Sequence, residues 1–174
     1  MTLSPRIESY LSQAHVDFDV IHHGFTENAY DSACAAHLPV SNVVKGVVLR
    51  ERDQHHYVIA AIPASNKLKI PWINKELKRD FILAGEIELA AQFPDCVLGA
   101  VPAIGQAYDS DIIWDNQLAQ QAELYIEAGS HEELIHIGKS QFTQLFQQYH
   151  HSTISLPAES YSLYHADEIR GGMN

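Results

Sequence analysis

Residues 42–50 read NVVKGVVLR. β-branched residues dominate the run, so it is an extended strand, and alternation puts Val43, Lys45, Val47 and Leu49 on one face and Val44, Gly46 and Val48 on the other. Valines on both faces describe a strand buried from both sides. Lys45 is out of place there. An ammonium in an apolar core without a partner costs several kcal/mol or gives up its proton. Spacing leaves two readings of this lysine open: an edge-strand charge whose stem reaches solvent, or a cation lining a pocket that receives an anion or a carbonyl.

Working outward, HYVIAAIP (56–63) follows the polar turn ERDQHH (51–56) and is the hairpin partner of the first strand. Upstream, Pro5 and RIESYLSQAHV space Ile7, Tyr10 and Leu11 as a helix. DFDVIHH (17–23) alternates as a strand, and TENAYDSACAAHL (26–38) is predicted to be a helix with Thr26 as its N-cap. Downstream, PWINKELKRD and AGEIELAAQF are predicted as short helices. CVLGAVPAIGQAY (96–108) is expected to be a strand running into a Gly/Pro loop. DIIWD, AELYIEAG and ELIHIG follow as strands, and KSQFTQLFQQYHH (139–151) as a terminal helix. From Ser152 to Asn174 periodicity is lost, which predicts a domain over 1–151 and a loosely attached tail over 152–174. Strands broken by helices without strict alternation give an α+β class, a single domain with a mixed sheet flanked by helices.

The chain has 174 residues and is 46% hydrophobic, enough for one domain with a sizeable core. No stretch has the roughly 20 apolar residues of a membrane span, and the N-terminus lacks a signal peptide's apolar centre, which predicts a cytoplasmic protein that does not engage membranes. Eleven Lys plus Arg against 22 Asp plus Glu leave a net charge of −11. Such a charge repels polyanions and excludes broad coating of DNA or RNA, while a small anionic feature can still be gripped by one or two local cations. Cys34 and Cys96 stand outside any CxxC pattern and are expected in the core.

Candidate chemistry is sparse. The eleven histidines include the adjacent pairs His22–His23, His55–His56 and His150–His151, but adjacent side chains diverge on a strand or a helix, and no HExxH occurs, so no metal or other cofactor is expected. GxSxG and dinucleotide or phosphate loops are missing as well. Asp109, Asp111 and Asp115 crowd the segment after the Gly/Pro loop, a solvated turn in which one carboxylate could orient a water. In LGAVPAIG (98–105), Gly99, Pro102 and Gly105 permit a tight turn and a close approach to main-chain groups.

Lys45 in an apolar strand, its sister YVIAAIPA, the loop LGAVPAIG, then DIIWDNQL and YIEAGSHEELIHIGKSQFTQLF follow one another in an order that resembles the YbaK family. These proteins are single-domain relatives of the editing domain inserted in bacterial prolyl-tRNA synthetases. The likeness runs from the N-terminal helix to near Gln148. It implies a barrel-like mixed sheet and an aminoacyl-tRNA deacylase, a hydrolase acting in trans on the ester between a wrong amino acid and the 3′-terminal adenosine. It implies Lys45 as the catalytic pocket lysine, and Gly99, Ala100, Val101, Pro102 and Ala103 as the loop around the aminoacyl group. Proline stands at Pro102, and Ala103 occupies the family's usual proline position. Gly46 follows the lysine where relatives often carry a larger or polar residue. Walls of Val43 and Val47 and a roof of Gly99, Ala100 and Ala103 are expected to admit a small side chain: alanine, serine or cysteine. The expected partner is the 3′ end of an aminoacyl-tRNA, with a synthetase or elongation factor holding the rest. The alternative is a non-catalytic module of the same fold that binds a nucleotide or aminoacyl-nucleotide.

Overall fold

Residues 3–159 are described by a computed structural model of the chain. The strand of the opening stretch, β2 (Val43–Glu51), lies at the middle of a mixed sheet. The other strands of that sheet are β1 (Asp19–His22), β3 (Tyr57–Pro63), β5 (Phe81–Leu83), β6 (Asp111–Asp115), β7 (Glu123–Glu127), β8 (Glu133–Gly138) and β9 (His150–Ser152). Their order is β1-β8-β7-β2-β3-β6-β9, with β5 pairing the far end of β2. β2 pairs antiparallel with β3, Lys45 opposite Ile62, and parallel with β7, Val44 opposite Ile126. β4 (Asn66–Leu68) and β10 (Ser155–Pro157) form a separate two-stranded ribbon. The helices are α1 (Pro5–Gln13), α2 (Ala29–Ala35), α3 (Ile70–Leu77), α4 (Glu86–Gln92) and α5 (Lys139–Phe146). This is the expected α+β class with a mixed sheet flanked by helices.

Both faces of β2 are covered, which explains its unbroken apolar run. Val44 and Val48 join the main core with Ile7 and Leu11 of α1, Ile59, Val101, Ala103, Ile126 and Phe142 of α5. On the other face, Val43 packs with Ala29 and Ala33 of α2 and Leu134 of β8, while Val47 and Leu49 pack with Ile62 and with Ile73 of α3. Lys45 stands between those two smaller clusters.

Several elements differ from expectation. Thr26 is not the cap of α2: Asn28 is, accepting from the Asp31 amide at 3.0 Å, and Thr26 is committed to another loop. No strand forms over 96–104, because the glycines and proline there favour a loop, which folds against the sheet instead of extending it. α5 stops at Phe146, and His150 and His151 belong to β9, paired with Ile113 and Trp114. The segment after Ser152 is not loose at its start, since Ile154 is fully buried and Ser155–Pro157 pair with β4. Ala158 continues the attachment, its amide donating to the Ser65 carbonyl at 3.1 Å, and residues 160–174 lie outside the described residues. Cys34 is exposed and Cys96 half-buried, so neither is a fully buried core residue. The spacing of alanines in α2 turns Ala29 and Ala33 inward and leaves Cys34 on the solvent side.

Candidate active site

Lys45 is half-buried on β2. Burial, and after it the positive charge of Lys67 on β4, lowers its pKa below the ordinary lysine value. The sheet thus holds a cation at a position where ionisation is disfavoured, a setting that suits a pocket lysine better than an edge-strand charge.

Gly46, the next residue, explains how the loop 99–103 comes close. A Cβ at this position would lie 2.9 Å from the Val101 carbonyl oxygen and 3.3 Å from the Ala103 nitrogen, so a side chain here would force the loop away. Glycine therefore lets loop backbone pack directly on strand backbone. The other end of the same loop reaches the turn before α2 and the turn after β7. Gly99 packs 3.3 Å from the His131 ring and 3.5 Å from the Glu27 carbonyl oxygen, measured from the position a Cβ would take. The loop therefore runs from the Gly46 backbone of β2 to the two turns that carry Glu27 and His131.

The expected wall and roof are not assembled as one pocket. Val43 is fully buried under α2 and Val47 packs toward α3, whereas Val101 and Ala103 lie in the main core on the opposite face of β2. Alternation is the reason: the loop docks on the face of Gly46, and residues 43 and 47 point away from it. Ala100 and Ala103 are fully buried and Pro102 is buried, while Gly99 is exposed. What the structure brings together is Gly46, the backbone of Gly99–Ala103 and the turns before α2 and after β7, with Lys45 adjacent to Gly46 in the chain and on the other face of β2.

Sequence reading missed the groups contributed by those turns. Glu127, the last residue of β7, shares the Lys45 face of the sheet, since Tyr125 and Val43 lie side by side there and Glu127 and Lys45 follow two residues on. Glu127 is 2% exposed and receives a hydrogen bond from Ser32 Oγ on α2 at 3.1 Å. Its second oxygen has no partner among the described residues. Desolvation dominates, and the carboxyl pKa is raised to about 7 despite the Ser32 hydrogen bond. Among the described residues no ion pair joins it to Lys45.

His131, in the turn that follows, is 7% exposed. Its Nε2 lies 2.7 Å from the Leu98 carbonyl oxygen, which can only accept, so Nε2 carries a hydrogen, and its buried Nδ1 has no partner among the described residues. Phe25, 68% exposed, meets the ring edge-on at 5.6 Å between centroids. The turn itself is shaped by Gly129, where φ is +93° and a Cβ would stand 2.9 Å from the Ser4 Cβ, so a side chain is excluded. Beneath it Ser4, Asp95 and Cys96 all hydrogen-bond to the Tyr108 hydroxyl, at 2.8, 3.0 and 3.1 Å. Burial pushes the Cys96 thiol up to about 11, so it serves packing and not thiolate chemistry. An alternating strand that ends in a glutamate two residues before a glycine, ELYIEAG, was the available signal for Glu127; it has the same apolar-face anomaly as Lys45.

The other sequence candidates have structural employment. Asp115 is fully buried and anchors residues 154 and 155. Asp111 pairs with His56 at 2.7 Å, and Asp109 ends a short 3-10 turn in the left-handed region. His22 pairs with Glu133, His150 with Glu76, and His151 stacks on Trp114. Among the described residues no three His, Cys, Asp or Glu side chains come together as a metal site. A cleft of about 550 Å³ lined by His56, Tyr57, Glu88 and Asp111 lies toward the Arg50 end of β2, away from Lys45. Two of its carboxylates already pair with protein, Glu88 with Arg50 at 2.7 Å and Asp111 with His56 at 2.7 Å.

Comparison with known proteins bears on the fold and the family. The crystal structure of the protein APE2540, of unassigned function, superposes with a TM-score of 0.76 at 15% identity, covering 87% of this chain and 99% of its own. That of a proposed trans-editing enzyme for prolyl tRNA synthetase gives 0.74 at 18% identity, covering 89% of this chain and 99% of its own. A proposed signal transduction protein from Marinobacter aquaeolei VT8 gives 0.72 at 14% identity, with 89% of this chain matching 31% of a longer one. At these identities the likeness is one of fold. None of the curated proteins compared matches the chain in sequence. The family model of the aminoacyl-tRNA editing domain, however, matches residues 25–145, a span that starts at Phe25 and takes in Lys45, the loop, Glu127 and His131. The chain belongs to the aminoacyl-tRNA editing domain family.

Proposed function

We propose that the protein hydrolyses, in trans, the ester of a mischarged aminoacyl-tRNA carrying a small amino acid: alanine, serine or cysteine. The observation that supports this most is the half-buried, desolvated Lys45, next in sequence to Gly46, onto which the backbone of the loop is pressed. In such a site the ammonium of Lys45 holds the 3′-terminal phosphate or ester oxygen without competition from bulk water. Water attacks the ester carbonyl carbon, main-chain groups of Gly99–Ala103 stabilise the oxyanion, and the carbon–oxygen bond to the ribose breaks. The ribose oxygen leaves with a proton, and the neighbouring ribose hydroxyl orders the attacking water. His131 Nδ1 receives the ammonium of the aminoacyl group. An activated ester asks for no stronger nucleophile, in keeping with the residues present.

Small substrates follow from the tightness of the loop against β2: where a single methyl at residue 46 would meet the Val101 oxygen at 2.9 Å, the loop cannot easily recede to admit a large side chain. The charge of −11 suits a protein that grips only the terminal nucleotide, with a synthetase or an elongation factor carrying the body of the tRNA in the cytoplasm. A panel of mischarged tRNAs tests the proposal. Ala-, Ser- or Cys-tRNA should be deacylated at least about tenfold faster than Leu- or Phe-tRNA. Equal rates on Leu-tRNA overturn the size limit, and no hydrolysis of any member of the panel makes the site a binding module.

A further inference from the structure

We propose that Glu127 is a positioning residue of this site, a proton-dependent latch that sets how firmly the His131 turn is tied to the Phe25–Asn28 loop. This rests on the reading of the site given above.

The latch is a line of hydroxyls. Glu127 Oε1 lies 3.1 Å from Ser32 Oγ, Ser32 Oγ lies 2.8 Å from Thr26 Oγ1, and Thr26 Oγ1 lies 3.3 Å from the carbonyl oxygen of His131. Ser32 Oγ is also 3.1 Å from the Asn28 carbonyl oxygen. Glu127, Ser32 and Thr26 are all buried, so solvent does not supply substitutes. Each hydroxyl has one hydrogen to give. When Glu127 is ionised it can only accept, so Ser32 donates to it, Thr26 donates to Ser32, and the His131 carbonyl keeps only the Thr26 amide at 3.1 Å. When Glu127 carries a proton on Oε1 it donates to Ser32, and the one Ser32 hydrogen goes to Thr26 or to the Asn28 carbonyl. In the arrangement with Ser32 donating to Thr26, Thr26 donates to the His131 carbonyl, so the line runs in the reverse sense and gains a bond at its far end, the end that carries the ring facing Gly99.

The surroundings make this carboxyl free to change state near neutrality. Among the described residues its second oxygen is buried without a partner, and no cation pairs with it to fix it as an anion. Across the sheet face lie Lys45, which makes no ion pair with it, and apolar Val43 and Leu134; α2 presents Ala29 and Ala33, and its Asp31 is exposed and bound to Asn28. The His131 ring is turned to Leu98. Desolvation raises the carboxyl to about 7, the range in which the line would switch.

Two readouts test it on the full chain. Amide NMR shifts of Thr26 and His131 are followed from about pH 5.5 to about pH 8.5, together with the Glu127 carboxyl carbon. All three should share one inflection, and the amide inflection should vanish in Glu127→Gln, whose side-chain amide donates to Ser32 at every pH, and in Ser32→Ala, which interrupts the line. In parallel, the ratio of kcat/KM for Glu127→Gln to that of wild type should rise roughly threefold or more between about pH 6 and about pH 8.5. Taking the ratio cancels the dependence of ester hydrolysis on hydroxide. A ratio that stays constant with pH, or amides that titrate identically in wild type and Glu127→Gln, overturns the latch and leaves Glu127 a packing residue. Shared NMR inflections in a protein that deacylates nothing at any pH would instead uphold the latch and remove the deacylase reading.

Discussion

Asp115 and Glu127 are each the last residue of a strand, β6 and β7, and each is a buried carboxylate. Asp115 accepts four hydrogen bonds, from the amides of Gln117, Ile154 and Ser155 at 2.9, 3.0 and 2.9 Å and from Ser155 Oγ at 2.7 Å. Glu127 accepts one, from Ser32, and its second oxygen has none among the described residues. A buried charge surrounded by donors stabilises the segment it collects, here the chain entering β10. A buried carboxyl with too few donors is a destabilised group that persists where a site uses it. The two strand ends therefore show how the same burial can anchor a segment in one place and leave a group poised to titrate in another.

The largest effect that would sharpen this comparison is on the anchored side. Asp115→Ala should lower stability by about 3–5 kcal/mol, since it strands two buried amides and a hydroxyl. Urea unfolding measures it, and a loss below about 1 kcal/mol would show that the four bonds are not an anchor. On the side of the candidate site, Lys45→Ala should reduce deacylation by about 10²-fold or more, the scale of one preorganised electrostatic contact, with unfolding unchanged or shifted to higher urea because a desolvated charge is gone. Wild-type rates in folded Lys45→Ala would take this lysine out of the mechanism.

A smaller effect separates the two carboxyls by pH. The Glu127 pKa is raised in the folded protein to about 7, so below the range of an unfolded carboxyl both states are protonated and no penalty exists. The penalty grows as pH climbs to about 7 and is constant above it. Glu127→Gln should accordingly stabilise the protein by about 1–3 kcal/mol above neutrality, and the gain should fade toward pH ~4. A gain independent of pH would mean that Glu127 is not buried in its neutral form. Last, excess chelator should leave deacylation unchanged, as expected of chemistry done by a lysine and backbone groups; loss of activity restored by Zn²⁺ would replace this scheme with a metal-dependent one.

Much of the frame was legible along the chain. β2 and β3 were readable because a β-branched run with a polar turn specifies a hairpin locally, and Lys45 stood out because it broke an apolar pattern. The order of motifs carried the family. The loop 96–104 was misread as partly strand because its apolar residues, Val97, Leu98 and Val101, match strand composition, while its path depends on docking against Gly46. Thr26 looked like a helix cap because capping residues also serve in tertiary hydrogen bonds, and the choice between Thr26 and Asn28 was made by the turn at His131.

The sequence by itself determined the strands β1, β2, β3, β6, β7 and β8, that β2 is covered on both sides, and that a cation sits among valines, because these follow from periodicities spanning a few neighbouring residues. Only the tertiary structure decided what shares a region with that cation. Glu127 is 82 positions from Lys45 and His131 is 86, numbers set by chain length and not by spacing rules, and they reach the same region because β2 and β7 pair in parallel. Parallel pairing requires a long connection, so no local pattern records its register. Burial of Glu127, and with it the shift of its pKa, likewise arises from α2 and β8 closing over it, a property of the assembled layers that no single segment carries.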